Sequence, residues 1–156
     1  MGHATLRRMT PRAQLASFLA KYDPAVARRA RAVLATLRKR LPGALELVYD
    51  NYNALAIGFG PSERASEAIF SVAVFPRWVS LFFLQGAKLR DPKRRLRGKG
   101  TRARHVVLES ARTIDDPAVR ALMELALAQA KRPLDPRQKH RIVIRSISAR
   151  QRPRRP

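Results

Sequence analysis

From Pro42 to Ala87 the apolar residues abandon helical spacing and fall into four short runs separated by turn signals. That change of period constrains the fold more than anything else in the chain. Residues 45–50 and 53–59 read as strands, with Asp50-Asn51 supplying turn chemistry between them. Gly60-Pro61-Ser62 is a loop signal. Residues 68–75 and 78–84 are two more strands, rich in β-branched and aromatic side chains, with a tight hairpin at Pro76-Arg77. Connections this short imply antiparallel pairing, because parallel neighbours need a long crossover.

Helical patterns frame this middle. Thr10-Pro11 opens a first helix: Thr can cap free N–H groups, and Pro suits a first-turn position where no N–H is needed. Leu15, Phe18 and Leu19 give it one apolar face. Asp23-Pro24 repeats the signal with an acidic cap, and Val26, Ala30, Val33, Leu34, Leu37 and Leu41 follow at helical spacing until Pro42-Gly43. Beyond the middle, residues 88–104 read as a long ordered loop with one short helical turn, and residues 105–110 as a fifth strand. Asp116-Pro117 starts a last helix with Val119, Leu122, Met123, Leu125, Ala126 and Ala130 on its apolar face, stopped by Pro133 and Pro136. The shared DPAV openings at Asp23 and Asp116 obey one capping rule and do not mark a repeat.

The expected fold is therefore α+β: an antiparallel meander of about five strands, with two N-terminal helices and one C-terminal helix on one face. The expected domain spans residues 10–132. Residues 133–156 are expected to be a basic C-terminal extension, partly disordered. Within it Ile142, Val143, Ile144 and Ile147 form a strand or a docking segment, and residues 150–156, which hold no apolar side chain, form a solvated tail.

Charge follows the same divisions. The chain has 33 Lys and Arg against 11 Asp and Glu, a net charge of +22. Residues 88–104 hold 9 basic residues and 1 acid, and residues 132–156 also hold 9 and 1, whereas residues 42–87 hold 2 and 4. Such a field attracts polyanions. Against binding stands genomic bias, since 26 of the 33 basic residues are Arg. The absence of cysteine excludes disulfides and thiolate metal sites and fits a reducing cytoplasm, the expected location. No apolar run follows Arg7 and Arg8, so no secretory signal is expected, and Leu6 stands where myristoylation of Gly2 wants Ser or Thr. No segment approaches the roughly 20 apolar residues of a membrane span, and no membrane partner is expected.

Three constellations could carry chemistry. In the basic loop, Gly98 and Gly100 can turn backbone N–H groups toward an anion, with charge from Arg94, Arg95, Arg97, Lys99, Arg102 and Arg104. The other reading is a tight turn feeding the next strand. Tyr49, Asp50, Asn51 and Tyr52, with Trp78, could line a small-ligand pocket, or the first four could simply form a hairpin turn. His105 lies beside Arg102 and Arg104, which would lower its pKa and keep it neutral; no other His stands at ligand spacing. No nucleophile arrangement is present around Ser71, Ser80 or Ser110. No catalytic residue, metal site or cofactor is expected, and the chain does not read as an enzyme. Neither basic cluster contains an aromatic, which argues against base stacking and for contact with the phosphate backbone alone.

The order of elements, together with Leu41-Pro42-Gly43-Ala44, the run ELVYDNYNALAIGFG, Trp78, Leu81-Phe82-Phe83, Gly86, Asp91-Pro92, and Leu96 with Gly98, Gly100, Arg102 and His105, resembles the bacterial YdhG-like family of domains of unknown function. The resemblance covers about residues 15–130. It implies a small cytoplasmic α+β domain and, from some members, a frataxin-like iron chaperone. Weakly held iron needs oxygen-rich acidic surfaces, and here only Asp115-Asp116 are adjacent acids. Binding of nucleic acid or another polyanion, without sequence specificity, through the basic loop and tail is thus the leading expectation. A small-ligand or iron chaperone is the alternative.

Overall fold

The structure is a computed structural model that describes residues 9–156. Gly2, Leu6, Arg7 and Arg8 lie outside those residues. Thr10 Oγ1 accepts from the Ala13 N–H at 3.1 Å, and Pro11 fills the first position of α1, Pro11–Leu19. The second helix, α2, is Pro24–Arg40 and buries Val26, Ala27, Ala30, Val33, Leu34 and Leu37 along one stripe. Asp23 precedes it, yet its carboxylate makes no capping hydrogen bond, contrary to expectation. It lies 4.0 Å from Arg155 Nε instead.

Gly43, at φ +85, turns the chain into the sheet. The strands are β1 (Leu45–Asp50), β2 (Leu55–Gly60), β3 (Phe70–Val74), β4 (Val79–Phe83), β5 (Arg104–Leu108) and β6 (Ile142–Ile147). A third helix, α3 (Pro117–Gln129), lies between β5 and β6, and Asp116 Oδ1 caps it by accepting from Ala118 N–H at 2.9 Å. The strand order is β5-β4-β3-β2-β1-β6. The first four strands form the antiparallel meander expected from their short connections, and β5, reached through the long basic loop, pairs antiparallel with β4 as its next strand. The Pro76-Arg77 hairpin closes through Phe75 N–H to Trp78 O at 2.9 Å. The sixth strand runs parallel to β1 and adds an edge that the sequence reading left undecided.

Register explains the core. Side chains alternate across a strand, so aligned residues form rows on each face. Val48, Ile57, Val72, Leu81 and Val106 make the middle row beneath the helices. Phe59, Phe70 and Phe83 make a second row, in which Phe70 and Phe83 meet edge to face at 5.5 Å. Leu55, Val74, Val79 and Leu108 make the third. All three helices contribute buried residues to this one cluster, so they cover a single face as expected. Tyr22, between α1 and α2, pins the third row: its hydroxyl donates to Val74 O at 2.9 Å and accepts from Leu55 N–H at 3.2 Å.

On β1 the two outer rows end in carboxylates, Glu46 and Asp50, both fully buried. Each is neutralised by one cation from the helical layer and one residue from the C-terminal segment. Arg38 of α2 donates to both Glu46 oxygens, at 2.7 and 2.9 Å, and His140 closes on the same carboxylate. Lys21 reaches Asp50 at 3.1 Å, and Arg154 reaches it at 2.9 Å. Arg154 is itself only 5% exposed. It also donates to the carbonyl oxygens of Asn51 and Tyr52 and lies over the Tyr22 ring. The segment expected to be a solvated tail is thus a clamp. Its lack of apolar residues gave no hydrophobic reason to dock, but charge-assisted hydrogen bonds to a buried acid suffice.

Candidate anion-binding loop and the cleft beside it

The basic loop leaves β4 and returns at β5. A short turn at Gly86–Lys88 starts it. Its fold depends on Asp91, whose two carboxylate oxygens accept from the N–H groups of Arg95 and Leu96 at 2.9 and 2.8 Å. Arg97 and His105 then exchange both backbone hydrogen bonds, at 2.8 and 2.9 Å, so the loop runs briefly as an extra strand along the edge of β5. The loop is ordered by one acid and one backbone bridge, and most of its cations point outward.

The structure separates the sequence-predicted residues by role. Arg94, Arg97, Lys99 and Arg102 are exposed and form no ion pair among the described residues. Arg95 is committed to Asp116 at 2.8 Å. Arg104 turns its guanidinium onto carbonyl oxygens of the loop itself, at Gly100 and Ala103. Gly98 has φ +119, a conformation that favours glycine. Gly100 has nothing among the described residues within 4 Å of where a Cβ would stand, so close approach does not explain it. The N–H groups of Gly98, Lys99 and Gly100 carry no hydrogen bond among the described residues.

The two basic clusters, equal in sequence, differ in structure. Of the nine cations in residues 132–156, six are paired: Arg132 with Glu67, Arg137 with Asp135, Arg141 and Arg145 with Glu63, Arg154 with Asp50 and Arg155 with Asp23. Of the nine in residues 88–104, Arg95 alone is paired among the described residues. The loop therefore presents nearly all its charge to solvent, while the C-terminal segment spends most of its charge on the domain.

The residues grouped as a ligand pocket do not converge. Asp50 points into the helical layer and Tyr49 to the opposite face of β1, and the space beside Asp50 is filled by Lys21 and Arg154. Asn51 and Tyr52 are exposed in the turn, where Arg152 lies over the Tyr52 ring at 5.7 Å. Trp78 stacks on Phe75 at 4.5 Å, in the neighbouring hairpin. Among the described residues no three His, Asp or Glu side chains are placed to hold a metal ion.

His105 differs in cause from the expectation. Its pKa is held below the ordinary 6.5, first by burial and then by the guanidinium of Arg97 rather than Arg102 or Arg104. Its ring lies 5.0 Å from that of Phe82. Asp116 is held below the usual carboxylate value, first by the hydrogen bond from Arg95 and then by the Ala118 N–H.

One feature of this region left no sequence signal. A half-open cleft of about 540 Å³ lies between the loop and the turn Ala111–Asp115. Its lining includes Arg95 and Arg97 from the loop, Val106 and Val107 from β5, and Glu109, Ser110, Arg112 and Thr113 from the chain that follows β5. The residues come from two stretches, 95–97 and 106–116, that only the bridge between the loop and β5 brings together, so no spacing rule could have joined them.

Searches of protein-family models, of curated proteins and of solved structures gave no match to this chain. Among the described residues no helix is long and apolar enough to cross a membrane.

Proposed function

We propose that this protein is a non-enzymatic module that binds polyanions, foremost the phosphate backbone of nucleic acid, through the loop of residues 88–104. The observation that carries this reading is the pairing contrast: eight of the nine loop cations have no carboxylate partner among the described residues, on a segment anchored by Asp91 and the Arg97–His105 bridge. Preorganised, unpaired cations release condensed counterions when they meet phosphates, which is the main source of non-specific affinity. The free N–H groups at Gly98–Gly100 suit the same anion. No aromatic stands in the loop to stack on a base, so the contact reads charge and not sequence.

The C-terminal segment is a minor contributor in this reading, because most of its cations are engaged. The YdhG-like resemblance supplies a cytoplasmic setting and an iron-chaperone alternative. The iron alternative has no donor cluster to support it among the described residues.

The test is titration of labelled duplex and single-stranded oligonucleotides of scrambled sequence at several salt concentrations. Log affinity should fall linearly with log salt, by about 0.9 per phosphate neutralised on duplex. The variant K93Q/R94Q/R97Q/K99Q/R102Q should flatten that slope and lose most of the affinity, whereas R141Q/R145Q, which removes cations already facing Glu63, should change it little. No binding by the intact protein at low salt would sink the proposal.

A further inference from the structure

We propose that the cleft beside β5 is a peptide groove, in which a short extended acidic segment of another protein adds to the free edge of that strand. His105 gives both its N–H and its C=O to Arg97, away from β4. Groups two residues apart on a strand point the same way, so the Val107 N–H and C=O face the same free edge. Continued pairing would bring Arg95 opposite Val107. Instead the Arg95 N–H is taken by Asp91 and its guanidinium by Asp116. The loop peels away, and the gap it leaves is the cleft. Val107 is left with neither backbone group hydrogen-bonded among the described residues, and it lines a cavity of about 540 Å³. An unpaired donor and acceptor on a strand edge are what an incoming strand satisfies.

Charge selects the occupant. The cleft's carboxylates are mostly spent: Asp116 on Arg95 and Asp115 on Arg40. Arg97 from the loop and Arg112 from the turn both line the cleft and are exposed and unpaired among the described residues, against one unpaired acid, Glu109. The remaining balance is positive, in a molecule of net charge +22. A second copy of this chain would bring the same two arginines and the same net charge to the contact and be repelled. An acidic strand meets both needs, with backbone groups for Val107 and carboxylates for Arg97 and Arg112. This inference does not depend on nucleic-acid binding by the exposed face of the loop.

The experiment uses the full chain and two blocked peptides, acetyl-Glu-Val-Glu-Val-amide and its Lys-for-Glu counterpart, at about 0.15 M salt, where the Debye length is about 8 Å. Backbone amide NMR shifts are followed on titration. The acidic peptide should shift Val107 and its neighbours in the cleft saturably, and the basic peptide should not. Val107→Pro removes the edge N–H where a strand edge tolerates proline, and should weaken binding at least tenfold. R97Q/R112Q changes only exposed side chains, so it keeps the test valid if the proline variant does not fold; it too should weaken binding about tenfold or more. Absence of Val107 shifts at millimolar acidic peptide overturns the proposal. So do equal binding of both peptides, full binding by R97Q/R112Q, a peptide-free dimer that protects the Val107 amide, and an oligonucleotide that reproduces the same shifts.

Discussion

Replacing Arg154 by Ala tests whether the last residues of the chain belong to the domain. Its side chain is 4% exposed and that of Asp50 is 1% exposed, so the pair at 2.9 Å is buried. Removing one member of such a pair costs about 3–5 kcal/mol, because the other charge is left without compensation. Two details lower the expectation for this site. Lys21, 44% exposed, remains 3.1 Å from Asp50. Arg154 Nε is buried without a partner among the described residues, a penalty of about 1 kcal/mol or more that the variant no longer carries. The expected loss for Arg154→Ala is therefore about 2–3 kcal/mol, or roughly 4–12 °C in Tm for a chain of this size. Asp50→Asn strands the buried guanidinium among carbonyl oxygens and should cost at least as much. The double variant should cost less than the sum, with a coupling of about 1–3 kcal/mol. Urea unfolding, followed by far-UV circular dichroism and by the single tryptophan, Trp78, gives each value. Both single variants within about 0.5 kcal/mol of the parent, with additive effects, would refute the clamp and restore a solvated tail.

Two further outcomes follow from the core and the loop. Tyr22→Phe leaves Leu55 N–H and Val74 O without their hydroxyl partner inside the protein and should cost about 1–3 kcal/mol in the same unfolding assay, with the fold retained by circular dichroism. The His105 imidazole is held below 6.5 in the folded state, so its contribution is fully present above that value. As pH falls through 6.5 the unfolded chain binds the proton first, and stability declines until the lower folded value is passed. His105→Gln should flatten this step in urea midpoints measured between about pH 7.5 and 5; an unchanged pH profile would show that the burial of the ring has no energetic consequence. Asp116 titrates in a lower window, where its stabilising contribution disappears as pH falls through its depressed folded value, so the two groups are separable.

The helices and the meander were legible because their causes are local. The cap at Thr10, Pro at the first turn, the apolar stripe of α2 and the short connections between strands all act within a few residues. What sequence reasoning misplaced depends on partners far along the chain. Asp50-Asn51 has turn chemistry, yet Asp50 closes β1 with its side chain inward, because Arg154 meets it from 104 residues away. Asp23 has the composition of a cap, but its carboxylate faces Arg155. Gly98 and Gly100 looked alike, and backbone dihedrals separate them. The cleft needed the strand edge, the loop and the turn at Ala111–Asp115 in one place before it existed.

The same distinction governs how charge should be read. Counting residues gave the loop and the C-terminal segment equal weight, since each holds 9 basic residues and 1 acid. Count says nothing of whether a cation is available, and availability is decided by acids elsewhere. The C-terminal cations draw on Glu63, Glu67, Asp50 and Asp23, which lie in or before the nearly neutral middle of the chain. That middle is nearly neutral in sequence and acidic in effect, because its carboxylates are arranged to receive the chain's own C-terminus. Among the described residues the loop at residues 88–104 meets only Asp91, which it uses on its own backbone, and Asp116, which takes Arg95. On the proposed reading an external anion is the remaining counter-charge for the loop. Neutralising the loop should accordingly cost binding and little stability, whereas neutralising Arg154 should cost stability and little binding. If both substitutions moved both quantities together, the separation of the two basic segments into a binding element and a clamp would fail.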